Sequence, residues 1–131
     1  MAPYETKVLV FHSSMFPIEQ GEDAETNPGV FGRSLAVWLG QELVPEFTSD
    51  QVLAEDFGWL VPVSHPKCSL YIACQMSDAS PRECMVQIIA EGGWKERLRL
   101  RDPRAQARRE LLDRVKARLE REPEIRDLHA E

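Results

Sequence analysis

The sequence predicts an α+β protein in which two helices pack on one face of a mainly antiparallel sheet, a two-layer sandwich. Short segments rich in β-branched and aromatic residues indicate strands, and two longer segments carry apolar residues at helical spacing. Successive strands in the middle of the chain are joined by short polar loops, so neighbouring strands should run antiparallel. The predicted order of elements is β-α-β-β-β-α, within a single domain over residues 1–131.

The first strand and the first helix are predicted on either side of a long acidic loop. Residues 7–12, KVLVFH, have the composition of a strand. The loop over residues 13–28 is long for a compact domain, and we expect it to be mobile. Asn27-Pro28 is typical of a helix start, because asparagine caps a helix and proline suits its first position. The helix should therefore run over residues 28–44 and end before the next proline.

Three consecutive strands are predicted over residues 59–64, 68–76 and 84–91. Alternation directs one set of side chains toward the helices, namely Leu70, Ile72, Cys74, Val86, Ile88 and Ala90. The opposite set is mixed and consists of Tyr71, Ala73, Gln75, Met85, Gln87 and Ile89. We interpret that second face as either partly solvated or covered by a partner.

The final part of the sequence predicts one more helix, which lies between an alternating segment and a polar tail. Residues 94–101, WKERLRLR, alternate and indicate an extension of the sheet. Asp102-Pro103 repeats the cap-and-proline signal, so a second helix should run to about residue 122. The tail over residues 123–131 is short and polar, and we expect it to be disordered.

The composition excludes some classes of protein. A hydrophobic fraction of 43% and a charged fraction of 29% are those of an ordinary globular domain, which needs no disulfide or metal for stability. No apolar run approaches the roughly 20 residues of a membrane-spanning helix. The first apolar run follows Pro3 and Glu5 without a basic region, so it indicates a strand and not a signal peptide. We expect a cytoplasmic protein with no cofactor and no membrane partner.

Three cysteines, Cys68, Cys74 and Cys84, agree with a reducing compartment. Their spacings of six and ten residues contain no CxxC pair, so they do not indicate a zinc site. We interpret them as reduced thiols that act as small apolar residues. A disulfide between Cys74 and Cys84 across a hairpin is the alternative interpretation.

Charge is distributed unevenly along the chain, whose net charge is −6. Residues 1–94 carry four basic and thirteen acidic side chains, whereas residues 95–121 carry eleven basic and five acidic ones. One interpretation of the basic segment is the solvated face of an amphipathic helix. Another is a surface for nucleic acid or another polyanion, formed by Arg97, Arg99, Arg101, Arg104, Arg108 and Arg109. The sequence pI near 5.1 argues against nucleic acid as the main partner.

Two acidic clusters are candidates for binding a basic partner. They are Glu22, Asp23 and Glu25 in the long loop, and Glu55, Asp56 and Trp59 at the start of the second predicted strand. Carboxylates beside an aromatic ring favour a basic or amine-bearing ligand. The alternative interpretation of the second cluster is structural. Its carboxylates would discourage edge pairing, Gly58 would mark a bulge or a close backbone contact, and the Trp59 indole would donate to a nearby carboxylate.

The sequence contains no motif for catalysis or metal binding. It lacks a glycine-rich phosphate-binding loop, a GxSxG nucleophile motif, an HExxH zinc-binding motif and an EF-hand motif. The enzymatic alternative is a small hydrolase or transferase that uses His12, His65 and a carboxylate. We predict no catalytic residue and no metal ligand.

The stretches NPGVFGRSLAVWL and AEDFGWLVPV resemble an uncharacterised group of small bacterial proteins, and EDFGW is the most specific piece. The resemblance covers roughly residues 16–91 and leaves the arginine-rich segment outside. It implies a bacterial, cytoplasmic, single-domain protein and implies no activity. Together with the charge distribution, it predicts a non-enzymatic protein-binding module of the immunity, antitoxin or secretion-chaperone type, as a monomer or a homodimer. Nucleic-acid binding is the first alternative and the enzyme is the second.

Overall fold

The computed structural model describes residues 8–91 and 103–131, which form an antiparallel sheet of seven strands with two helices packed against it. The strands are β1 (Val8–His12), β2 (Val30–Phe31), β3 (Leu53–Glu55), β4 (Gly58–Val63), β5 (Ser69–Ser77), β6 (Ser80–Glu91) and β7 (Arg126–Ala130). The helices are α1 (Arg33–Leu43) and α2 (Pro103–Glu120). The sheet order is β3-β4-β5-β6-β1-β7, and β2 pairs with the end of β5. This architecture confirms the predicted α+β class.

The hydrophobic core lies between the sheet and the two helices. Alternate side chains of the strands face this layer, and the fully buried ones include Phe11, Ile72, Cys74, Val86 and Ile88. The helices contribute apolar residues at helical spacing, among them Leu35, Leu39, Leu111, Val115 and Leu119. Helix α1 packs on β4 and β5, and α2 packs on β6. The predicted helix-facing side of β5 and β6 is therefore confirmed.

The opposite face of the sheet is mixed, as predicted. Ala73 and Leu60 are buried on this face, whereas Tyr71, Gln75 and Gln87 are only half-buried. Both described helices lie on the other side of the sheet. Neither of them combines the length with the apolarity that a bilayer-crossing segment needs.

Three strands lie outside the predicted order. Two of them, β2 and β3, are only two and three residues long, which is too short for a periodic signal. The third, β7, lies in the tail that we expected to be disordered. Its sequence RDLHA is polar, and backbone hydrogen bonds hold it to β1. Val8 and Glu131 exchange two such bonds beside it, with N–O distances of 3.1 and 2.8 Å.

Helix α1 begins later than predicted because Val30 and Phe31 pair with β5 as a strand before the helix starts at Arg33. The predicted sheet extension over residues 94–101 lies outside the described residues.

The acidic loop over residues 13–28 is attached to the folded body at both of its ends. Near its start, the buried ring of Phe16 packs against Trp38 of α1, with ring centroids 5.3 Å apart. Near its end, the hydroxyl of Thr26 donates a hydrogen bond to the carbonyl oxygen of Val30 over 2.6 Å. The loop therefore brings its carboxylates to a defined place beside the sheet.

Candidate functional site

A tight hairpin joins β3 to β4 at one end of the sheet. Glu55 pairs with Gly58, so Asp56 and Phe57 form a two-residue turn. Gly58 adopts a φ of +152°, and a Cβ placed on it would lie 2.4 Å from the carbonyl oxygen of Cys74. Only glycine permits this approach. The close backbone contact predicted at Gly58 is therefore confirmed.

The hairpin exposes two large apolar side chains. Leu53 and Phe57 are each 46% exposed, and they are the exposed large hydrophobic residues of the described part of the chain. Strand β3 is the outermost strand on its side of the described sheet, so its outward backbone groups can pair with another strand. The exposed carboxylates of Glu55 and Asp56 lie beside the two apolar groups. The hairpin thus presents a small apolar surface with an acidic rim.

The acidic loop reaches the same end of the sheet. The side-chain amide of Asn27 donates a hydrogen bond to the backbone oxygen of Asp56 over 3.0 Å, although the two residues are 29 positions apart. The backbone N–H of Gly29 donates to the carboxylate of Asp23 over 2.9 Å, and the Gly29 carbonyl accepts from the N–H of Asp78 over 3.4 Å. We call this surface the acidic end, and it comprises Asp23, Glu25, Glu55, Asp56 and Asp78. The fold therefore joins the two predicted clusters.

Glu22 does not belong to the acidic end, because its carboxylate is buried and accepts hydrogen bonds within the fold. Its Oε2 accepts hydrogen bonds from the backbone N–H groups of Gly32 and Arg33, at 2.8 and 3.0 Å. These groups begin α1, where unpaired donors and the helix dipole both favour an anion. Glu22, predicted to bind a partner, instead caps a helix. Local sequence patterns do not predict this role, because Glu22 and Gly32 are ten residues apart in the chain.

Trp59, the predicted aromatic residue of the second cluster, is buried in the core with 3% of its surface exposed. The guanidinium carbon of Arg33 lies 5.8 Å from the centre of its ring. Within residues 8–91 and 103–131 its indole nitrogen has no hydrogen-bond acceptor, so the predicted bond to a nearby carboxylate is wrong. Phe57 supplies the exposed ring instead. The turn signal Asp56-Phe57-Gly58 could have identified it, because central turn residues face solvent.

The arginines predicted to bind a polyanion are only partly described. Arg97, Arg99 and Arg101 lie outside the described residues. The other three lie on α2, where Arg104 is buried, Arg108 is half-buried and Arg109 is exposed. Among these three, Arg109 alone is exposed.

Two further arginines of α2 join it to α1. The guanidinium of Arg114 donates to the carbonyl oxygen of Leu43 over 2.8 Å. Arg118 contacts the carboxylates of Glu42 and Glu122, and the hydrogen bond with Glu42 raises the pKa of Arg118 above its ordinary value. Part of the positive charge of α2 is therefore engaged in contacts with α1, which neither interpretation of the basic segment predicted.

His12 and His65, the predicted enzymatic pair, lie near opposite ends of the sheet. His12 pairs with Glu83 near the start of β6, beside the end of β5, whereas His65 precedes the start of β5. The length of β5 separates them by on the order of 25 Å, since a strand rises about 3.3 Å per residue. One site cannot contain both side chains. The structure therefore does not bring this pair of histidines together.

Each histidine has its own neighbours instead. His12 lies between two carboxylates, with Nε2 3.7 Å from Oε2 of Glu83 and Nδ1 3.6 Å from Oδ2 of Asp127. Asp127 is largely accessible to water, and the side chains of His12 and Glu83 are more than two-fifths exposed, so these contacts are weak. His65 lies against Cys68. Within residues 8–91 and 103–131, no three His, Cys, Asp or Glu side chains are arranged to hold a metal ion.

Known proteins do not add a family assignment: no protein-family model, curated protein or solved structure matches this chain.

Proposed function

We propose that this protein is a non-enzymatic binding module whose acidic end receives a basic protein. Its role would be that of an immunity protein, an antitoxin or a secretion chaperone of a bacterial cytoplasm. The observation that carries the proposal is the exposure of Leu53 and Phe57, at 46% each, on an edge hairpin bordered by carboxylates. The proposal keeps the predicted partner class and replaces Trp59 with Phe57 as the aromatic contact.

The two apolar side chains account for affinity. Removing apolar surface from water contributes about 25 cal/mol per Å². Binding energy also concentrates in a few central apolar or aromatic groups that are shielded from water by their surroundings. Leu53 and Phe57 lie on one short hairpin, so a single partner can cover both.

The carboxylates account for the choice of partner. The acidic end carries five carboxylates, and residues 8–91 as a whole hold twelve acidic and three basic side chains. The negative electrostatic potential of such a surface attracts a positively charged protein, accelerates its association and disfavours acidic competitors. A basic partner is therefore the one that this surface selects.

The edge of β3 adds a way to orient that partner. Strand β3 pairs with β4 on one side, and the described part of the sheet ends at its other side. An extended segment of the partner placed along that side would form main-chain hydrogen bonds, as in strand addition. Leu53 and Glu55 would then flank the added segment with one apolar and one acidic contact.

The test is affinity capture from a native bacterial lysate at low and high salt, with quantification by mass spectrometry. Four forms of the full chain are compared: wild type, L53S/F57S, E55K/D56K and the control D113K/E120K. The control reverses two exposed carboxylates on α2, away from the hairpin. Circular dichroism and the urea midpoint establish that each form is folded.

We expect wild type and the control to retain the same basic protein, and both hairpin variants to lose most of it. Equal capture by all four forms would overturn the proposal. Capture of nucleic acid alone, released at high salt, would instead support the alternative prediction of binding through the arginines. A wild-type chain that retains nothing at either salt concentration would also count against a binding module.

A further inference from the structure

The outer side of β3 presents the backbone N–H and C=O of Ala54. Glu55 and Gly58 flank a two-residue turn, so they form the hydrogen-bonded pair that closes the hairpin. Hydrogen-bonded and non-hydrogen-bonded pairs alternate along an antiparallel ladder, so Ala54 and Trp59 form a non-hydrogen-bonded pair. The two backbone groups of Ala54 are therefore directed away from β4, where a further strand can pair with both.

The side chains of β3 alternate between the two faces of the sheet. Ala54 packs against the hydrophobic core, opposite the buried Trp59. Leu53 and the exposed Glu55 therefore lie on the other face, away from the helices. Because Leu53 pairs with Leu60, an apolar side chain placed beside Leu53 would extend an apolar row across the sheet. One face of β3 thus offers an apolar contact and an acidic contact, two residues apart.

The charge around β3 has one sign. Residues 44–64, which contain the hairpin, carry four acidic side chains and no basic one. The acidic side chains are Glu46, Asp50, Glu55 and Asp56. A positive side chain is therefore favoured beside Glu55, and a negative one is disfavoured there.

We propose that β3 receives an extended segment of the basic partner as an added antiparallel strand, with the residue order basic, uncharged, apolar from its N-terminus to its C-terminus. The inference rests on the proposed function and specifies which part of the partner binds. Every strand pair of the described sheet is antiparallel, and antiparallel pairing is slightly more stable per residue than parallel pairing. In that direction the residue beside Glu55 precedes the residue beside Leu53, so the basic residue comes first.

Three contacts determine this order. The basic side chain meets the carboxylate of Glu55 on the face away from the helices. The middle residue donates its N–H to the carbonyl oxygen of Ala54 and accepts the Ala54 N–H at its own carbonyl oxygen. Its side chain lies on the core side of the sheet, where a charge would lose water without gaining a partner. The apolar side chain covers Leu53, which is 46% exposed.

The experiment titrates the isotope-labelled full chain with capped peptides at millimolar concentration and follows its backbone amide signals by NMR. The first peptide, Ser-Lys-Val-Leu-Ser, has the proposed order. The second, Ser-Leu-Val-Lys-Ser, has the same composition in the reverse order. The third repeats the first with an N-methylated valine, which cannot donate to the carbonyl oxygen of Ala54.

The variants are Ala54→Pro and the control Ala54→Val. Proline removes the outward N–H, and an edge strand tolerates proline. Valine adds similar bulk and keeps the N–H. Both variants retain Leu53, Glu55 and Phe57, so they leave the side chains of the proposed partner surface in place. Circular dichroism establishes that each variant is folded.

We expect the first peptide to shift the amide signals of residues 53–55 and to slow hydrogen exchange at the Ala54 N–H. Reversal of the peptide, N-methylation of its valine and Ala54→Pro should each weaken binding by at least about threefold, because each removes a hydrogen bond or both side-chain contacts. Ala54→Val should bind as wild type. Equal affinity for the two peptide orders, or for Ala54→Pro and wild type, would overturn the proposal. The absence of shifts at residues 53–55 with every peptide would also overturn it.

The N-methylated peptide needs only the wild-type chain, so its comparison with the first peptide holds even if Ala54→Pro fails to fold. The peptide titration and the capture from lysate can fail separately. Capture of a basic protein that L53S/F57S abolishes and Ala54→Pro leaves unchanged would overturn the added strand and keep the proposed function. Ordered peptide binding by a chain that captures no protein would overturn the proposed function and support the strand site.

Discussion

The side-chain nitrogen of Asn27 lies 3.0 Å from the backbone oxygen of Asp56 and donates a hydrogen bond to it. This contact joins the loop that carries Asp23 and Glu25 to the hairpin that carries Phe57. The bond is exposed to solvent, so its contribution should fall at the low end of the usual range of about 0.5–1.5 kcal/mol. Its main effect is to hold the two parts of the acidic end at a fixed spacing.

Removal of this bond should loosen the hairpin more than it destabilises the fold. For Asn27→Ala we expect a loss of less than about 1 kcal/mol in the free energy of unfolding. Amide hydrogen exchange at residues 56–58 should become faster, since local opening would cost less. Gln20→Ala, an exposed change in the same loop, is the control. Unchanged exchange in the hairpin would show that the bond does not restrain it.

Truncation of Glu22 should destabilise the fold because two backbone donors of α1 lose their acceptor. We expect Glu22→Ala to lower the free energy of unfolding by about 2 kcal/mol, as for other caps and charged hydrogen bonds. Glu22→Gln should have a smaller effect, since its amide oxygen still accepts. The measurement is urea denaturation, and Glu25→Ala, at an exposed position, should change little. Equal effects at both positions would contradict the capping role.

Substitution of Gly58 should be among the most damaging single changes. Gly58→Ala would bring a Cβ to 2.4 Å from the Cys74 carbonyl oxygen, at a φ of +152°. We expect a loss of about 3 kcal/mol or more, from a backbone clash added to conformational strain. Gly21→Ala is the matched control: its φ is also positive, at +90°, but the added Cβ would meet no atom within 4 Å. A similar loss for both variants would mean that conformational strain alone accounts for the effect.

Protonation of His129 on β7 should give the stability of the fold a small dependence on pH. The hydrogen bond with the Asp127 carbonyl, followed by the contact with the Glu131 carboxylate, raises the pKa of His129 above its ordinary value of 6.5. A group with a raised pKa in the folded chain stabilises it fully below the unfolded value and loses that contribution as pH rises through the folded value. As the pH rises above 6.5, the urea midpoint of the wild type should therefore fall slightly more than the urea midpoint of His129→Gln. Parallel pH profiles would show that the contacts of His129 do not stabilise the fold.

Periodic patterns were sufficient to predict the layers of the fold. Alternation along β5 and β6 identified the buried side because each of those strands contains nine or more residues. Strand β7 was missed because backbone pairing with β1 holds it, and such pairing leaves no apolar pattern in RDLHA. The start of α1 was predicted too early for a related reason, because Val30 and Phe31 pair with β5 as a strand.

The acidic end was predicted only in part, because it depends on contacts between distant residues. Glu55 and Asp56 lie at the hairpin as exposed carboxylates, and their turn chemistry is local. The capping role of Glu22 was missed because its donors lie ten and eleven residues further along the chain. The contact between His65 and Cys68 spans only three residues, yet its geometry depends on the conformation of the turn between β4 and β5.

The pairing of β1 with β7 also has a consequence for how the chain assembles during synthesis. Strand β1 is translated first and β7 last among the described strands, and both edges of β1 are occupied only once β6 and β7 exist. A nascent chain therefore holds an incomplete sheet with an open side at β1 until the residues of β7 leave the ribosome. Folding that waits for such distant contacts is slow, and an open strand side is prone to aggregation. A segment fused after residue 131 would then affect the folding step in which β7 pairs with β1.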